Sequence, residues 1–398
     1  MRILLATDWN RGRGGAEACA LQLRDGLEAS GDQVRLLTSS TGSAGDGRAD
    51  YVAWGTERVA AQAFLQIVNP FAVARARQAV REFAPDVAWV NMFAHHLSPA
   101  LLHALAGVPI VLSVTDYKCI CPIGVKLLPD DTLCTQRAGT VCLRSSCVGT
   151  LHWLRDQPRY ALLRSGLRRV ARIVACSEWV RAALAADGIA ADVIDLPVPA
   201  PAAGYRRAPA AHPCFVFCGR LDREKGLALL LRAFTRLRAD VAGARLRIVG
   251  TGPLQPSLTQ LAHQLGLDDA VTFTGWRDPA GVEAELAPAW ALVAPSLHAE
   301  PLGLVAPEAI VRGVPVVASA SGGFGETVVE GRSGLLFANG DEAALAACLL
   351  RIARREAFPD HLVDATTVAA SAARHDLGRH VALTRDVLRD VLRAVLLS

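Results

Sequence analysis

The chain has 398 residues, of which 52% are hydrophobic and 20% charged, and its 42 basic and 38 acidic side chains leave a formal net charge of +4. That length exceeds one ordinary core and the composition excludes a disordered chain. The charge bias is too mild to imply nucleic acid, and no apolar run reaches the roughly 18 residues of a membrane span.

In chain order, short apolar runs alternate with helical patterns, the pattern of parallel sheets with crossover helices. The first half offers strands at 2–7, 33–38, 86–91, 109–114, 172–176 and 192–196 and helices at 15–29, 70–83, 97–106 and 177–186. The second half restarts the pattern, with strands near 214–219, 244–249, 271–274, 291–294 and 315–318. Its helices are expected at 226–239, 253–265, 279–287, 304–313 and 341–354. Between the halves, Pro197-Val198-Pro199-Ala200-Pro201 and the proline- and alanine-rich stretch to Pro213 read as a linker, because proline extends neither ladder nor helix interior. At the end, Leu377, Val381, Leu388, Val391 and Val395 share one face of an amphipathic helix. The chain opens directly on strand-like Arg2-Ile3-Leu4-Leu5-Ala6 without a signal-peptide pattern. A cytoplasmic location is therefore the expectation, and the ten cysteines are read as residing in a reducing compartment.

The strongest local pattern runs from Ser296 through Glu300, Gly303, Leu304, Val305 and Glu308. It follows a buried strand and opens a helix. The backbone N–H groups of Gly303, Leu304 and Val305 are then placed to hold a diphosphate. Glu300 and Glu308 are spaced to accept hydrogen bonds from different sugar hydroxyls of one ligand. A second pattern, Cys218-Gly219-Arg220-Leu221-Asp222-Arg223-Glu224-Lys225-Gly226, puts Arg220 and Lys225 at the carboxyl edge of a parallel sheet. Arginine engages phosphate through paired bonds and lysine through a point charge. Gly250-Thr251-Gly252 and Gly275-Trp276-Arg277 follow two further strands, so four strand-end loops share one edge of one sheet.

Taken together, residues Phe217 to Phe337 resemble the donor-binding half of the retaining glycosyltransferases of family 4, also called glycosyl transferases group 1. The resemblance rests on Gly219-Arg220 with Lys225-Gly226, on the Glu300 and Glu308 pair, on Gly313-Val314-Pro315-Val316-Val317-Ala318 and on Gly322-Gly323-Phe324-Gly325-Glu326. It implies the GT-B fold, two Rossmann-like α/β domains facing a central cleft. Residues 1–197 would form the acceptor-binding domain, 198–213 a linker, 214–375 the nucleotide-sugar-binding domain and 376–398 a C-terminal helix. By the same resemblance Arg220 and Lys225 hold the diphosphate and stabilise the leaving group. Glu308 takes the ribose hydroxyls and Glu300 the transferred sugar, with Gly219, Gly252, Gly303, Leu304 and Val305 completing the site. The donor would be a UDP- or GDP-sugar, and the product would keep the donor's anomeric configuration. No Asp-x-Asp triplet occurs, so a divalent metal at the diphosphate is not required.

In the acceptor half, Gly14 and Gly15 resemble the family's glycine pair near the phosphate. The family's histidine–aspartate pair reads Thr115-Asp116 here, which leaves Asp116 to bind the acceptor or accept its proton, with the donor phosphate as the other acceptor of it; His95 and His96 are read either as structural or exposed residues or as a spatial substitute for the missing histidine. Five cysteines cluster in the 117–150 stretch. Some family members are similar there, which implies Cys121, Cys134, Cys142 and Cys147 as ligands of a structural zinc, with an iron–sulfur cluster or redox-active thiols as alternatives. Arg155, Arg159, Arg164, Arg168, Arg169 and Arg172 alternate with apolar residues, a pattern that suits either a solvated helix face or contact with an anionic membrane surface. The expected activity is hexosyl transfer to a glycan, glycolipid or lipid-linked acceptor in cell-surface polysaccharide synthesis, at the inner membrane face or free of it, with no nucleic acid partner. The alternative is a non-catalytic nucleotide-sugar-binding or metal- or redox-sensing protein. A dinucleotide oxidoreductase is disfavoured because no Gly-x-Gly-x-x-Gly follows the first strand of either half.

Overall fold

The computed structural model describes residues 1–9, 14–41 and 48–397. Two compact units divide it. The first begins with β1 (Arg2–Ala6), α1 (Gly15–Ala29), β2 (Gln33–Ser39), β3 (Tyr51–Ala53), α2 (Val59–Leu65), α3 (Pro70–Phe83) and β4 (Val87–Asn91). It continues through α4 (Ala100–Ala104), β5 (Ile110–Val114), α5 (Thr140–Arg144), α6 (Thr150–Leu167), β6 (Val170–Ala175), α7 (Glu178–Ala186) and β7 (Asp192–Val193). All its strands are parallel, in the order β3-β2-β1-β4-β5-β6-β7.

The second unit holds β8 (Cys214–Cys218), α8 (Leu227–Asp240), β9 (Arg245–Val249), α9 (Gln255–Gln264), β10 (Val271–Gly275), α10 (Pro279–Leu286) and β11 (Ala291–Ala294). It closes with α11 (Val305–Ile310), β12 (Val316–Ser319), α12 (Phe324–Thr327), β13 (Gly334–Phe337), α13 (Glu342–Ala353) and α14 (Ala365–Arg374). Its sheet is again parallel, in the order β10-β9-β8-β11-β12-β13. In each unit the strand order reverses once, between β1 and β4 and between β8 and β11. Ligands of open α/β sheets bind at the carboxyl ends of the strands beside such a reversal.

Local chemistry explains the clearest elements. Helix α3 starts where the Asn69 side chain accepts from Phe71 N and Ala72 N, with Pro70 in the first turn. It ends at Ala84, in the left-handed conformation. The final helix, α15 (Leu377–Leu397), belongs to the first unit. It buries Val381, Leu388 and Val391 in a core shared with Ile3, Leu5, Leu23 and Leu27. A side chain on Gly26 would put its Cβ 2.4 Å from Val381 Cγ2, so the bare glycine lets α15 close on α1. Val395, expected on that buried face, is half exposed because it lies beyond the covered stretch.

Other expectations are corrected. The stretch 198–213 is no loose linker but part of the second unit. Arg207 donates to the carbonyls of Leu286, Ala287, Ala289 and His361, and Ala202 N to Glu283 Oε1 at 3.0 Å. Residues 125–135, placed by sequence inside an insertion of the first domain, also group with the second unit. Expected helix 304–313 shortens to the six residues of α11, since Gly313 turns the chain with φ 73°. Within the basic stretch, Arg159 is buried and donates to Ala94 O at 3.3 Å, while Arg172 sits on β6 and pairs with Asp192 at 3.2 Å. The six arginines therefore do not form one basic face. No helix among the described residues is long and apolar enough to cross a membrane.

Candidate functional site

In the second unit the loops after β8 and β11, neighbours at the sheet reversal, are joined side by side. Leu297 N donates to Glu224 O at 2.8 Å. Gly226 sits at φ 70°, and a Cβ there would lie 1.9 Å from Pro295 O, so only glycine permits this approach. Lys225 and Glu300 meet across the join, Nζ to Oε1 at 2.7 Å. Ser296 Oγ donates to the same carboxylate oxygen at 2.5 Å, and His298 Nε2 lies 3.2 Å from it. Burial alone would raise the Glu300 pKa, but the Lys225 charge and then His298 hold it well below the usual carboxylate range. Glu300 is thus a fixed anion beside a fixed cation. His298 is buried, with its Nε2 turned to that carboxylate.

Arg220 stands at the mouth of the same loop with its side chain 71% exposed, 2.9 Å from Asp222 and 3.2 Å from Glu224. Exposed pairs of this kind contribute little, about 0–1 kcal/mol, so exchanging them for a phosphate costs little. Gly219 N donates to Val249 O, and a Cβ on Gly252 would fall 2.6 Å from Leu221 N, which makes both glycines part of the contact between the loops after β8 and β9. Gly303, Leu304 and Val305 lead into α11. The first N–H groups of a helix have no partner inside it, and in so short a helix these free donors matter more than a macrodipole. Gly303 adopts φ 75°, where a Cβ would lie 2.3 Å from Phe324 Cε1. Trp276, at the end of β10, is exposed.

Glu308 is half-buried on α11, and its carboxylate has no hydrogen-bond or ion-pair partner among the described residues. Burial pushes its pKa up to about 7, opposed only by Arg312. That guanidinium is committed elsewhere, to Glu283 at 2.7 and 3.0 Å.

The reversal in the first unit is built differently. Asp8, fully buried after β1, accepts from the backbone N–H groups of His95, His96 and Leu97 at 2.7, 2.8 and 2.8 Å. Burial raises its pKa to about 6 against the pull of His95 and of those three bonds. Trp9 packs against both histidine rings, with centroids 4.9 and 5.2 Å away. Burial, then the neighbouring His95, lowers the His96 pKa to about 4. His95 Nε2 lies 3.7 Å from Asp116 Oδ2, so His95 is the histidine that approaches the expected aspartate. Asp116 Oδ1 accepts from Lys118 N at 2.8 Å, and Thr115 Oγ1 donates to Asn91 Oδ1 at 3.2 Å. Gly14 caps α1, its N–H donating to Glu17 Oε2 at 3.0 Å, and Gly15 is the first residue of that helix.

The structure does not assemble the cysteine site. Among the described residues no three His, Cys, Asp or Glu side chains are placed to hold a metal ion. Cys134 lies in the 125–135 segment of the second unit, whereas Cys121, Cys142 and Cys147 lie in the first.

Sequence reasoning missed Asp8, Ser296 and His298. The last two stand four and two residues before Glu300, a spacing that turns them toward its carboxylate once the loop folds back.

Against known proteins, residues 212–355 match the family described as glycosyl transferases group 1, and residues 14–200 match the glycosyl transferase 4-like domain. The chain belongs to the group 1 glycosyltransferases. Over 144 residues it is 40% identical to glycogen synthase of Mycobacterium tuberculosis, covering 36% of this chain and 34% of that one. Over 183 residues it is 36% identical to the GDP-mannose-dependent alpha-(1-6)-phosphatidylinositol monomannoside mannosyltransferase of Mycolicibacterium smegmatis, covering 43% and 44%. The matches thus span between a third and a half of those relatives. In structure it resembles sucrose-phosphate synthase from Thermosynechococcus elongatus, with a TM-score of 0.71 at 21% identity over 99% of this chain and 100% of that one. It also resembles Anabaena HepE solved in complex with UDP, with a TM-score of 0.71 at 19% identity over 98% and 100%. The two parallel-sheet α/β domains are those of the GT-B fold.

Proposed function

We propose that the protein transfers a hexosyl group from a UDP- or GDP-sugar to a glycan, glycolipid or lipid-linked acceptor, with retention of configuration. The observation that carries this reading is the Lys225–Glu300 pair at the sheet reversal, with the unpartnered Glu308 carboxylate on the next helix. Arg220, itself exposed, exchanges its carboxylate partners for the diphosphate, and the N–H groups of Gly303, Leu304 and Val305 complete the contacts. Lys225 supplies positive charge where the leaving diphosphate develops its own, the kind of term that dominates many barriers. Glu308 accepts the ribose hydroxyls, and Glu300, kept ionised, accepts those of the transferred sugar. These groups neutralise the diphosphate without a divalent ion. On the acceptor side Asp116, with His95 beside it, receives the acceptor's hydroxyl proton. The glycogen synthase and mannosyltransferase relatives support a glycan or a lipid-linked acceptor, and the reading puts that transfer in cell-surface polysaccharide synthesis. The reading places the enzyme in the cytoplasm, where it meets a lipid-linked acceptor at the inner membrane face.

A panel of UDP- and GDP-sugars, scored for thermal stabilisation and for donor hydrolysis, tests the proposal, because a ligand of the native state raises apparent stability. At least one donor is expected to stabilise the protein and to be hydrolysed slowly without acceptor. Stabilisation without turnover by any donor would instead support a non-catalytic binding protein, and no stabilisation by any would remove the donor site.

A further inference from the structure

The chain leaves the first unit at Gly124, contributes Val125–Thr135 to the second, and returns at Gln136. That excursion is a small hairpin. Leu127 and Leu133 form an antiparallel bridge, Cys134 N donates to Lys126 O at 2.8 Å, and Leu128 N to Thr132 O at 2.8 Å. Its apolar side enters the core of the second unit. Leu127 is buried in the same cluster as Phe217, Leu221 and Leu227, and Val125 and Leu133 pack against that cluster. Leu221 lies within the loop that carries Arg220 and Lys225, and Leu227 follows it.

The polar side of the hairpin is held by one residue of that loop. Arg223 donates through Nη2 to Leu128 O at 3.0 Å and Pro129 O at 2.6 Å, and pairs with Asp131 Oδ1 at 2.5 Å. Asp131 sits at φ 66°, which turns the tip so that its carboxylate and the two carbonyls converge on one guanidinium. Arg223 begins the single 3-10 turn Arg223–Lys225. Arg223 stands two residues before Lys225 in that turn, so the contacts of Arg223 restrain the stretch from which Lys225 reaches Glu300.

We propose that this hairpin is a strap on the phosphate loop, and that Arg223 is a positioning residue which sets Lys225 and Arg220 for the diphosphate. The inference rests on the proposed role of those two side chains. It explains why a charged loop on a parallel sheet edge, otherwise free to rearrange, is clamped by three acceptors and an apolar anchor.

The test uses the full chain with Arg223→Ala, Arg223→Lys and Asp131→Asn; asparagine tolerates the left-handed turn and removes only the charge. Amide hydrogen exchange over residues 219–226 without ligand, and UDP and GDP dissociation constants, are measured together with donor KM and kcat. Arg223→Ala is expected to speed exchange in the loop about tenfold. It should weaken nucleotide binding and raise donor KM about fivefold, with a smaller fall in kcat. Arg223→Lys should recover part of both effects, and Asp131→Asn should show a weaker version. Unchanged exchange in the loop for Arg223→Ala overturns the strap. Faster exchange with unaltered nucleotide affinity overturns the positioning role and leaves only packing. If the wild-type protein binds neither UDP nor GDP, the diphosphate reading fails by itself, while the exchange comparison still decides whether the hairpin holds the loop.

Discussion

The two sheets share a topology and each has one strand reversal, yet they use that place in opposite ways. At the reversal of the first unit the Asp8 carboxylate is spent inward, on three backbone N–H groups that hold the 95–97 loop. At the reversal of the second unit the charges are paired side chain to side chain or left unpartnered, as in Lys225 with Glu300 and in Glu308. A carboxylate surrounded by backbone donors is a structural fastener. One whose neighbours are side chains, or that has none among the described residues, can exchange them for a ligand. The same fold position thus holds a loop in one unit and keeps binding capacity open in the other.

The largest expected effect breaks the second unit's arrangement. Lys225→Ala removes the cation that faces both Glu300 and the developing charge of the leaving group. Turnover should fall about 100-fold or more, the scale seen when one preorganised charge-stabilising group is lost. The comparison variant is Arg389→Ala, on the exposed side of α15. Initial rates at saturating donor decide between them, and a drop no greater than that of Arg389→Ala would deny Lys225 any part in the transition state.

The next effect belongs to the first unit and concerns stability. Burial raises the Asp8 pKa in the fold from the ordinary 3.8 to about 6. A raised pKa means the protonated form is favoured in the fold. Its stabilising contribution is therefore complete below pH 3.8 and is lost as pH rises through about 6, a change of about 3 kcal/mol. Asp8→Asn cannot titrate, so that slope should vanish from denaturant midpoints measured between pH 4 and 7. Nucleotide affinity should stay as it was, because Asp8 serves the loop and not the donor. Parallel pH curves for the two proteins would show that Asp8 carries no such linkage.

The difference between the units also marks what could be read from the sequence. Short-range chemistry was legible. Helices α1 and α3 occupy the expected residues, 15–29 and 70–83, because a glycine entry and an Asn-Pro start mark their ends locally. The neighbourhood of Arg220, Lys225 and Glu300 could also be read, since the loops after β8 and β11 lie side by side at the strand reversal, with Glu308 on the helix that follows. What was hidden depends on distant backbone. The donors that hold Asp8 lie 87 to 89 residues away and are main-chain groups without a side-chain signature. Arg159 looked like a surface arginine because its partner, Ala94 O, is likewise a carbonyl. The hairpin at 125–135 was read as part of a cysteine-rich insertion, because cysteine count drew attention away from Leu127 and Leu133, whose burial decides where the segment belongs. Strand β13 and helices α12 and α14 were not anticipated. Four-residue elements such as β13 and α12 carry too few positions to show a period, and the alanine-rich α14 buries little beyond Thr367.

The smallest expected effect is the one that most directly sharpens the contrast between a fastened and an open carboxylate. Glu308 has a pKa of about 7 because burial disfavours its charge and Arg312 is already bonded to Glu283. A ribose that donates two hydroxyl hydrogens favours the ionised form, so nucleotide binding must expel a proton wherever Glu308 is protonated beforehand. Affinity for UDP or GDP should therefore rise as pH increases from 5.5 through about 7 and level off above it, the opposite direction to the Asp8 stability slope. Glu308→Gln removes the titration, and its affinity should be flat with pH and about fivefold weaker than wild type at pH 8, the cost of replacing hydrogen bonds to a charged acceptor by neutral ones. Titration calorimetry in buffers of different ionisation enthalpy reads the same event as proton release, present in the wild-type protein near pH 6 and absent in the variant. A wild-type affinity that does not change over this range would separate Glu308 from the ribose, and the second unit's reversal would then be closed like the first.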